Sequence, residues 1–302
     1  MTEQVVQLGP EHGPPAGNAS SAARQDRPIG EILQQVCELS PTQVEEIARY
    51  QTQHQIPFGE AAIRLGYARR EDVVWALSKQ YSYSYLADTS KATINQELVM
   101  ARNPFSESVE CFRSLRTHLA FGLLAAESGK RSALAVVSPN IGDGKTFIIS
   151  NLAVAFSQLR YRTVVVDADL RSPRAHRIFG VEGAEGLSAT LSRRSSVKLY
   201  EFGESLPNLY FLPAGAVPPN PTELLHSPEF DLLLTELTKK FDVVLVDTPA
   251  AAHGSDARVI AEKCGAALLV VKKDRSRLKD AKTLAAQLRL GSCKIVGPLV
   301  NE

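Results

Sequence analysis

The stretch "ALAVVSPNIGDGKTFIISNLAVAFSQL", residues 133–159, constrains the fold more than any other part of the chain. It reads as an apolar strand, a glycine-containing loop and a long apolar helix. A phosphate-binding loop follows the pattern G-x-x-x-x-G-K-[ST] in that context. Gly144, Lys145 and Thr146 complete the pattern, and Pro139 stands where its first glycine belongs. That first position mainly sets the turn out of the strand, so its loss leaves the rest of the loop intact. Gly142 and Gly144 let backbone N–H groups turn inward, and the following helix adds its positive end. The residues expected to cradle a nucleotide are therefore Asn140, Ile141, Gly142, Asp143, Gly144, Lys145, Thr146 and Phe147. Lys145 would reach the outer phosphates and Thr146 would ligate Mg²⁺, so ATP and Mg²⁺ are the expected ligands.

The surroundings fit such a loop. Apolar, β-branched runs recur at 133–138, 163–168, 209–214, 242–248, 267–272 and 294–300, with helical patterns at 145–160, 222–239 and 276–290. Continuous apolar strands with helical crossovers predict an α/β fold: a mostly parallel sheet with helices on both faces. Ligands in such sheets bind at the carboxyl ends of the strands. "VVVDADLR" places Asp167 and Asp169 at one such end, with Arg171 beyond, and "VVLVDTP" places Asp247 at another. A single strand-end aspartate reads as a cap. Three beside a phosphate loop read as a site.

The N-terminal third is built differently. Residues 1–26 are rich in Pro, Gly and small polar residues and read as a disordered tail. "IGEILQQVCELSPTQVEEIARYQ" (29–51) aligns without a gap on "FGEAAIRLGYARREDVVWALSKQ" (58–80), pairing Gly30 with Gly59 and Val44 with Val73. Each copy predicts a helix, a turn and a helix, making a small helical repeat domain over 27–86. In the first copy Ser40, Pro41 and Gln43 form a capping box, and Val44 and Ile47 begin an apolar stripe. Residues 87–103 read as a linker, and 104–302 as the P-loop domain.

The net charge of +1 gives no reason to expect nucleic acid. Four dispersed cysteines suit reduced thiols in a cytosol. No apolar run approaches the ~20 residues of a membrane helix, and no leader pattern precedes the tail. The expected location is cytoplasmic, with any membrane association made through a partner.

Taken in order, "SPNIGDGKT", "DADLR" and "LVDTP" resemble the Walker A, acidic and Walker B motifs of the bacterial tyrosine kinases. "ECFRSLR" supplies Glu110, Arg113 and Arg116, similar to the family's E-x-x-R-x-x-R helix, and "LPAGAVPPNPTELL" resembles its segment between acidic motifs. The likeness covers about residues 103–302. It implies an ATP-dependent tyrosine autokinase of an exopolysaccharide system, activated by a membrane chain-length determinant. It further implies a homo-oligomeric ring joined through Glu110, Arg113 and Arg116, with Phe112, Leu115 and Leu119 on the helix's buried side. By the same likeness the reacting groups are Lys145, Asp167, Asp169 and Asp247. Thr146, Asp169 and Asp247 hold Mg²⁺, Asp247 through water. Lys145 neutralises charge on the transferring phosphoryl group, Asp167 accepts or orients the tyrosine proton, and Arg171 steadies the acidic motif. Asn301 falls where related ATPases contact adenine. Spacing alone leaves Glu110, Arg113 and Arg116 equally readable as a solvated face with internal pairs. The ParA/MinD-type ATPases share the fold but carry a signature lysine five positions before the loop lysine, where this chain has Asn140.

Two departures stand out. Many members end in a tyrosine-rich tail, whereas the last tyrosine here is Tyr210. The cluster "YSYSY" leaves Tyr81, Tyr83 and Tyr85 either as phospho-acceptors or as rings packed from one face of a strand. The repeat resembles the N-terminal module of type II secretion ATPases, some of which bind cyclic di-GMP through an arginine. Pro28 and Pro57 occupy both arginine positions, so protein docking is the expected role of the module. The alternative to a kinase is a P-loop ATPase that acts as a switch or scaffold and phosphorylates little.

Overall fold

The computed structural model describes residues 4–7, 28–80, 95–102, 106–123, 133–182, 185–203 and 205–302. The chain divides into two units: residues 9–89, and residues 1–8 together with 90–302.

The smaller unit contains four helices: α1 (Ile29–Val36), α2 (Pro41–His54), α3 (Phe58–Arg64) and α4 (Arg70–Gln80). Ser40 Oγ accepts from Gln43 N, Gln43 Oε1 accepts from Ser40 N, and Pro41 takes the first helical position, so the capping box is present. Pro28 and Pro57 take the position just before α1 and α3, where a proline's fixed φ and missing N–H cost nothing. Packing crosses between the copies: α1 lies against α4, and α2 against α3. Ile32, Leu33, Ile47, Ala61, Ala62, Val73 and Ala76 form the core. Gly59 is needed for this approach, because a Cβ there would sit 2.4 Å from Cγ1 of Val73.

The larger unit holds an eight-stranded sheet, β1 (Gln4–Gln7), β2 (Ala133–Val137), β3 (Thr163–Asp167), β4 (Lys198–Glu201), β5 (Leu209–Leu212), β6 (Val243–Asp247), β7 (Gly265–Lys272) and β8 (Lys294–Asn301). Its order is β1-β4-β5-β3-β6-β2-β7-β8. The β5 to β8 side is parallel throughout, and β1 and β4 extend the other edge antiparallel. Residues 4–7 thus form a strand where composition predicts a tail; the backbone edge of β4 accepts them, a term composition does not contain.

Alternation sorts the strands' side chains between two faces. Ala133, Ala135, Val137, Val164, Val166, Val244 and Val246 point toward α11 (Pro228–Lys240), α12 (Asp256–Cys264) and α13 (Leu278–Arg289). Leu134, Val136, Val165 and Leu245 are as deeply buried and face the other way, where α7 (Lys145–Ser157) packs against β3 and β6; two short helices, α8 (Ala175–Phe179) and α9 (Leu187–Leu191), follow β3. Helix α7 is itself covered by α5 (Val99–Arg102) and α6 (Glu107–Leu123), which is why it is apolar all round. Asn151 fixes α5: its Oδ1 accepts from Met100 N at 3.0 Å, and its Nδ2 donates to Glu97 O at 2.8 Å. Leu98, Met100 and Ala101 are buried, so the end of the segment read as a linker belongs to this unit's core. The helix expected over 222–239 is broken at Ser227, which is extended (φ −61°, ψ 152°) ahead of Pro228, giving α10 (Pro221–His226) and α11.

Candidate nucleotide and magnesium site

The loop between β2 and α7 closes on itself through Asp143, which is fully buried. Its Oδ2 accepts from Asn140 N at 2.8 Å and its Oδ1 from Ser276 Oγ at 2.7 Å. Its carbonyl accepts from Asn301 Nδ2 at 3.0 Å. Gly142 (φ 80°) and Gly144 (φ 100°) take left-handed conformations, and a Cβ on Gly144 would lie 2.1 Å from Asn301 Nδ2. Pro139 keeps its carbonyl in use, accepting from Ala252 N at 3.0 Å, and Ser138 O accepts from Ala251 N at 2.9 Å. The segment after β6 therefore braces the start of the loop. Ile141 is exposed on the loop, and the Phe147 ring meets Phe112 edge-on at 5.7 Å.

Lys145 is 7% exposed and its Nζ donates to Ser138 Oγ at 3.0 Å. Asp167 and Asp247 stand opposite each other in the β3–β6 register. Both are buried, and Oδ2 of each has no hydrogen-bond partner. Burial, followed by the charges of Asp247 and Asp169, raises the Asp167 carboxyl well above the ordinary carboxylate range. Burial pushes Asp247 up to about 6 against the pull of the Lys145 charge and the Thr146 hydroxyl. Thr146, Lys145 and the carboxylates of Asp169 and Asp247 thus act on one spot. Asp169 turns its Oδ1 to the N–H groups of Arg171 (3.1 Å) and Ser172 (2.9 Å).

The orphaned buried Oδ2 of Asp247, beside Lys145 and Thr146, fits a hydrated Mg²⁺ carried in by phosphate, and the orphaned Oδ2 of Asp167 stays open to a proton donor. Among the described residues no group of three or more His, Cys, Asp and Glu would hold a metal unaided.

Arg171 is spoken for. Its Nε donates to Asp256 Oδ2 at 2.6 Å and its Nη2 to Thr222 Oγ1 at 3.1 Å. Thr222 Oγ1 donates to Asp256 Oδ1 at 2.7 Å. The guanidinium thereby ties the acidic motif to α10 and α12. Ser138, Ser276 and Asp256 escaped the sequence reading. Ser276 and Asp256 come from distant segments with no motif of their own, and only the loop's inward geometry identifies Ser138.

On α6, Arg113 Nη1 pairs with Glu110 Oε2 at 3.0 Å, and Arg116 Nη1 donates to Ala155 O of α7 at 2.9 Å. Phe112 and Leu119 are buried and Leu115 half-buried. Tyr81, Tyr83 and Tyr85 lie outside the described residues.

The description "CobQ/CobB/MinD/ParA nucleotide binding domain" matches residues 134–301. The chain is 30% identical over 212 residues to putative tyrosine-protein kinase CapB of Staphylococcus aureus, covering 70% of this chain and 91% of that protein. The chain belongs to the bacterial tyrosine kinases of this nucleotide-binding family. Tyrosine-protein kinase wzc of Salmonella typhimurium is 32% identical over 206 residues, 68% of this chain. That match takes in only 28% of wzc, so the chain spans about a quarter of that relative's length. The kinase domain of Escherichia coli tyrosine kinase ETK superposes with a TM-score of 0.65 at 30% identity, covering 70% of this chain and 81% of that one. The Mg-ADP complex of the septum site-determining protein MinD from Pyrococcus horikoshii follows at a TM-score of 0.50 and 25% identity, covering 56% and 70%. Among the described residues no helix is long and apolar enough to cross a membrane, which leaves this bacterial tyrosine kinase chain without a described span.

Proposed function

We propose that this chain is an ATP-dependent protein tyrosine autokinase that works with the membrane chain-length determinant of an exopolysaccharide system. The observation that carries the reading is the facing pair Asp167 and Asp247, each with a buried unpartnered oxygen, beside Lys145 and Thr146.

Bound Mg–ATP would supply the transferable phosphoryl group and a divalent charge. The chain's own residues supply the rest. Thr146 Oγ, Asp247 and Asp169 would hold the ion. Lys145 exchanges Ser138 Oγ for the outer phosphates and offsets the negative charge gathering there. The N–H groups of residues 142–146, fixed by Asp143 and Asn301, hold the phosphates in line. Asp167 Oδ2 takes the phenolic proton of the incoming tyrosine, and its raised proton affinity brings it nearer to that phenol, whose ordinary pKa is about 10. Arg171 acts on nucleotide binding by positioning the acidic motif.

In the assembled ring, Glu110 would leave Arg113 of its own helix for an arginine of the next copy. Such a heterologous contact closes a ring and presents tyrosines to a neighbour's site. The helical module would dock a protein partner.

A second reading, an ATPase switch or scaffold with little kinase activity, is favoured by the tyrosines. The hydroxyls of Tyr67, Tyr200 and Tyr210 donate to Glu46, the Glu182 carbonyl and Glu201. Purified chain incubated with Mg–ATP, blotted for phosphotyrosine and assayed for phosphate release beside Lys145→Met, separates the two. A tyrosine signal lost in the variant supports the kinase. Phosphate release without that signal supports the switch, and neither activity with the membrane partner present removes both.

A further inference from the structure

Arg275 lies in the turn between β7 and α13, and that turn is built onto the phosphate loop. Lys273 N donates to Asn301 O at 2.8 Å, Ser276 N to Lys272 O at 2.9 Å, and Asp274 takes φ 57°. Ser276 Oγ, which accepts from Lys272 N at 2.9 Å, donates to Asp143 Oδ1. The residue after Arg275 is thus pinned to the residue after Gly142. The guanidinium consequently lies over Gly142: a Cβ there would meet Nη1 at 3.0 Å, Nη2 at 3.4 Å and Cζ at 3.5 Å.

What sets Arg275 apart is its place against the phosphate loop; several arginines elsewhere are held by acids of their own. Arg64 pairs with Glu60, Arg113 with Glu110, Arg171 with Asp256, Arg174 with Glu97 and Arg193 with Glu229. Arg275 is exposed and has no ion pair to a described carboxylate. The nearest acid in the loop, Asp143, is committed to Asn140 and Ser276. A planar cation held against the main chain of a phosphate loop, with no acid of its own, matches an anion delivered from outside.

We propose that Arg275 is a second nucleotide-binding cation, pairing with the phosphate chain from beside Gly142. The inference rests on the ATP-binding reading above. Guanidinium suits the task because its fork takes two phosphate oxygens at once.

Calorimetric titration of the full chain with Mg–ADP and Mg–ATP tests it, in wild type, Arg275→Ala and Arg275→Lys. The expected result is binding weakened about tenfold in the alanine variant, or about 1.4 kcal/mol. The lysine variant, which keeps the charge and loses the fork, should fall between wild type and alanine, and the alanine variant should show a flatter dependence on ionic strength. An alanine variant that binds like wild type overturns the inference. So does equal weakening in both variants with an unchanged salt dependence, which would make Arg275 a prop for the loop. Wild type that binds no Mg-nucleotide removes the ATP reading itself, and this inference with it.

Discussion

Asp167 and Asp247 are register partners on adjacent parallel strands, and each keeps a buried carboxylate oxygen that accepts no hydrogen bond. Two acids this close and this dry cost stability until a cation joins them. Asp247→Asn should therefore stabilise the ligand-free chain by about 1–2 kcal/mol, a gain at the expense of function. Thermal melts without nucleotide should show a higher Tm for the variant. The rise in Tm that Mg–ADP gives wild type should vanish in it.

Gly144 is held between its left-handed backbone and the Asn301 amide. Gly144→Ala should abolish nucleotide binding, since its Cβ displaces both the amide and the loop. Asn301→Ala keeps the glycine and frees the Asp143 carbonyl, so its loss of affinity should be about tenfold, consistent with one hydrogen bond to a positioned loop. Titration with Mg–ADP checks both.

The Arg171–Asp256 pair predicts a pH signature. Burial alone would raise the Asp256 carboxyl, but hydrogen bonds from Arg171 and Thr222 outweigh it and hold the group below its ordinary value. A depressed carboxyl contributes stability that is present above the unfolded value near ~4 and is lost as pH falls through the lower folded value. Arg171→Ala should cost about 2–3 kcal/mol between pH 5 and 8, because Asp256 stays buried without its partner. Urea unfolding should show the gap to wild type closing below about pH 4.

In the helical module, Ser40→Ala removes one half of a reciprocal cap. The expected loss is about 1 kcal/mol. Hydrogen exchange on the full chain should show it as faster exchange confined to the first turns of α2.

The parallel part of the sheet was legible because its six strands read as unbroken apolar runs, four of them, β2, β3, β6 and β7, largely buried on both faces. The strands β1 and β4 were not, since "QVVQ" and "KLYE" are four residues long and gain their order from a neighbouring backbone. The phosphate loop was legible in Gly144, Lys145 and Thr146, because its chemistry depends on consecutive residues. The supports of that loop were hidden for the opposite reason: Asp143 is tied to Ser276, and Arg171 to Asp256, across 133 and 85 positions. The helix expected as a single element over 222–239 breaks at Ser227, because Pro228 biases the residue before it toward extended backbone. For Glu110 and Arg113, spacing predicted the internal pair that the single chain shows, and family likeness alone proposes their exchange between copies.

The hydrogen bond from Asn301 to the Asp143 carbonyl joins residues 158 positions apart. During synthesis, then, β2 and its glycines leave the ribosome long before β8 exists to set their shape. Closing so distant a contact is entropically expensive and comes late in folding. A nascent chain therefore lacks this brace on its phosphate loop until β8 has been made and has docked.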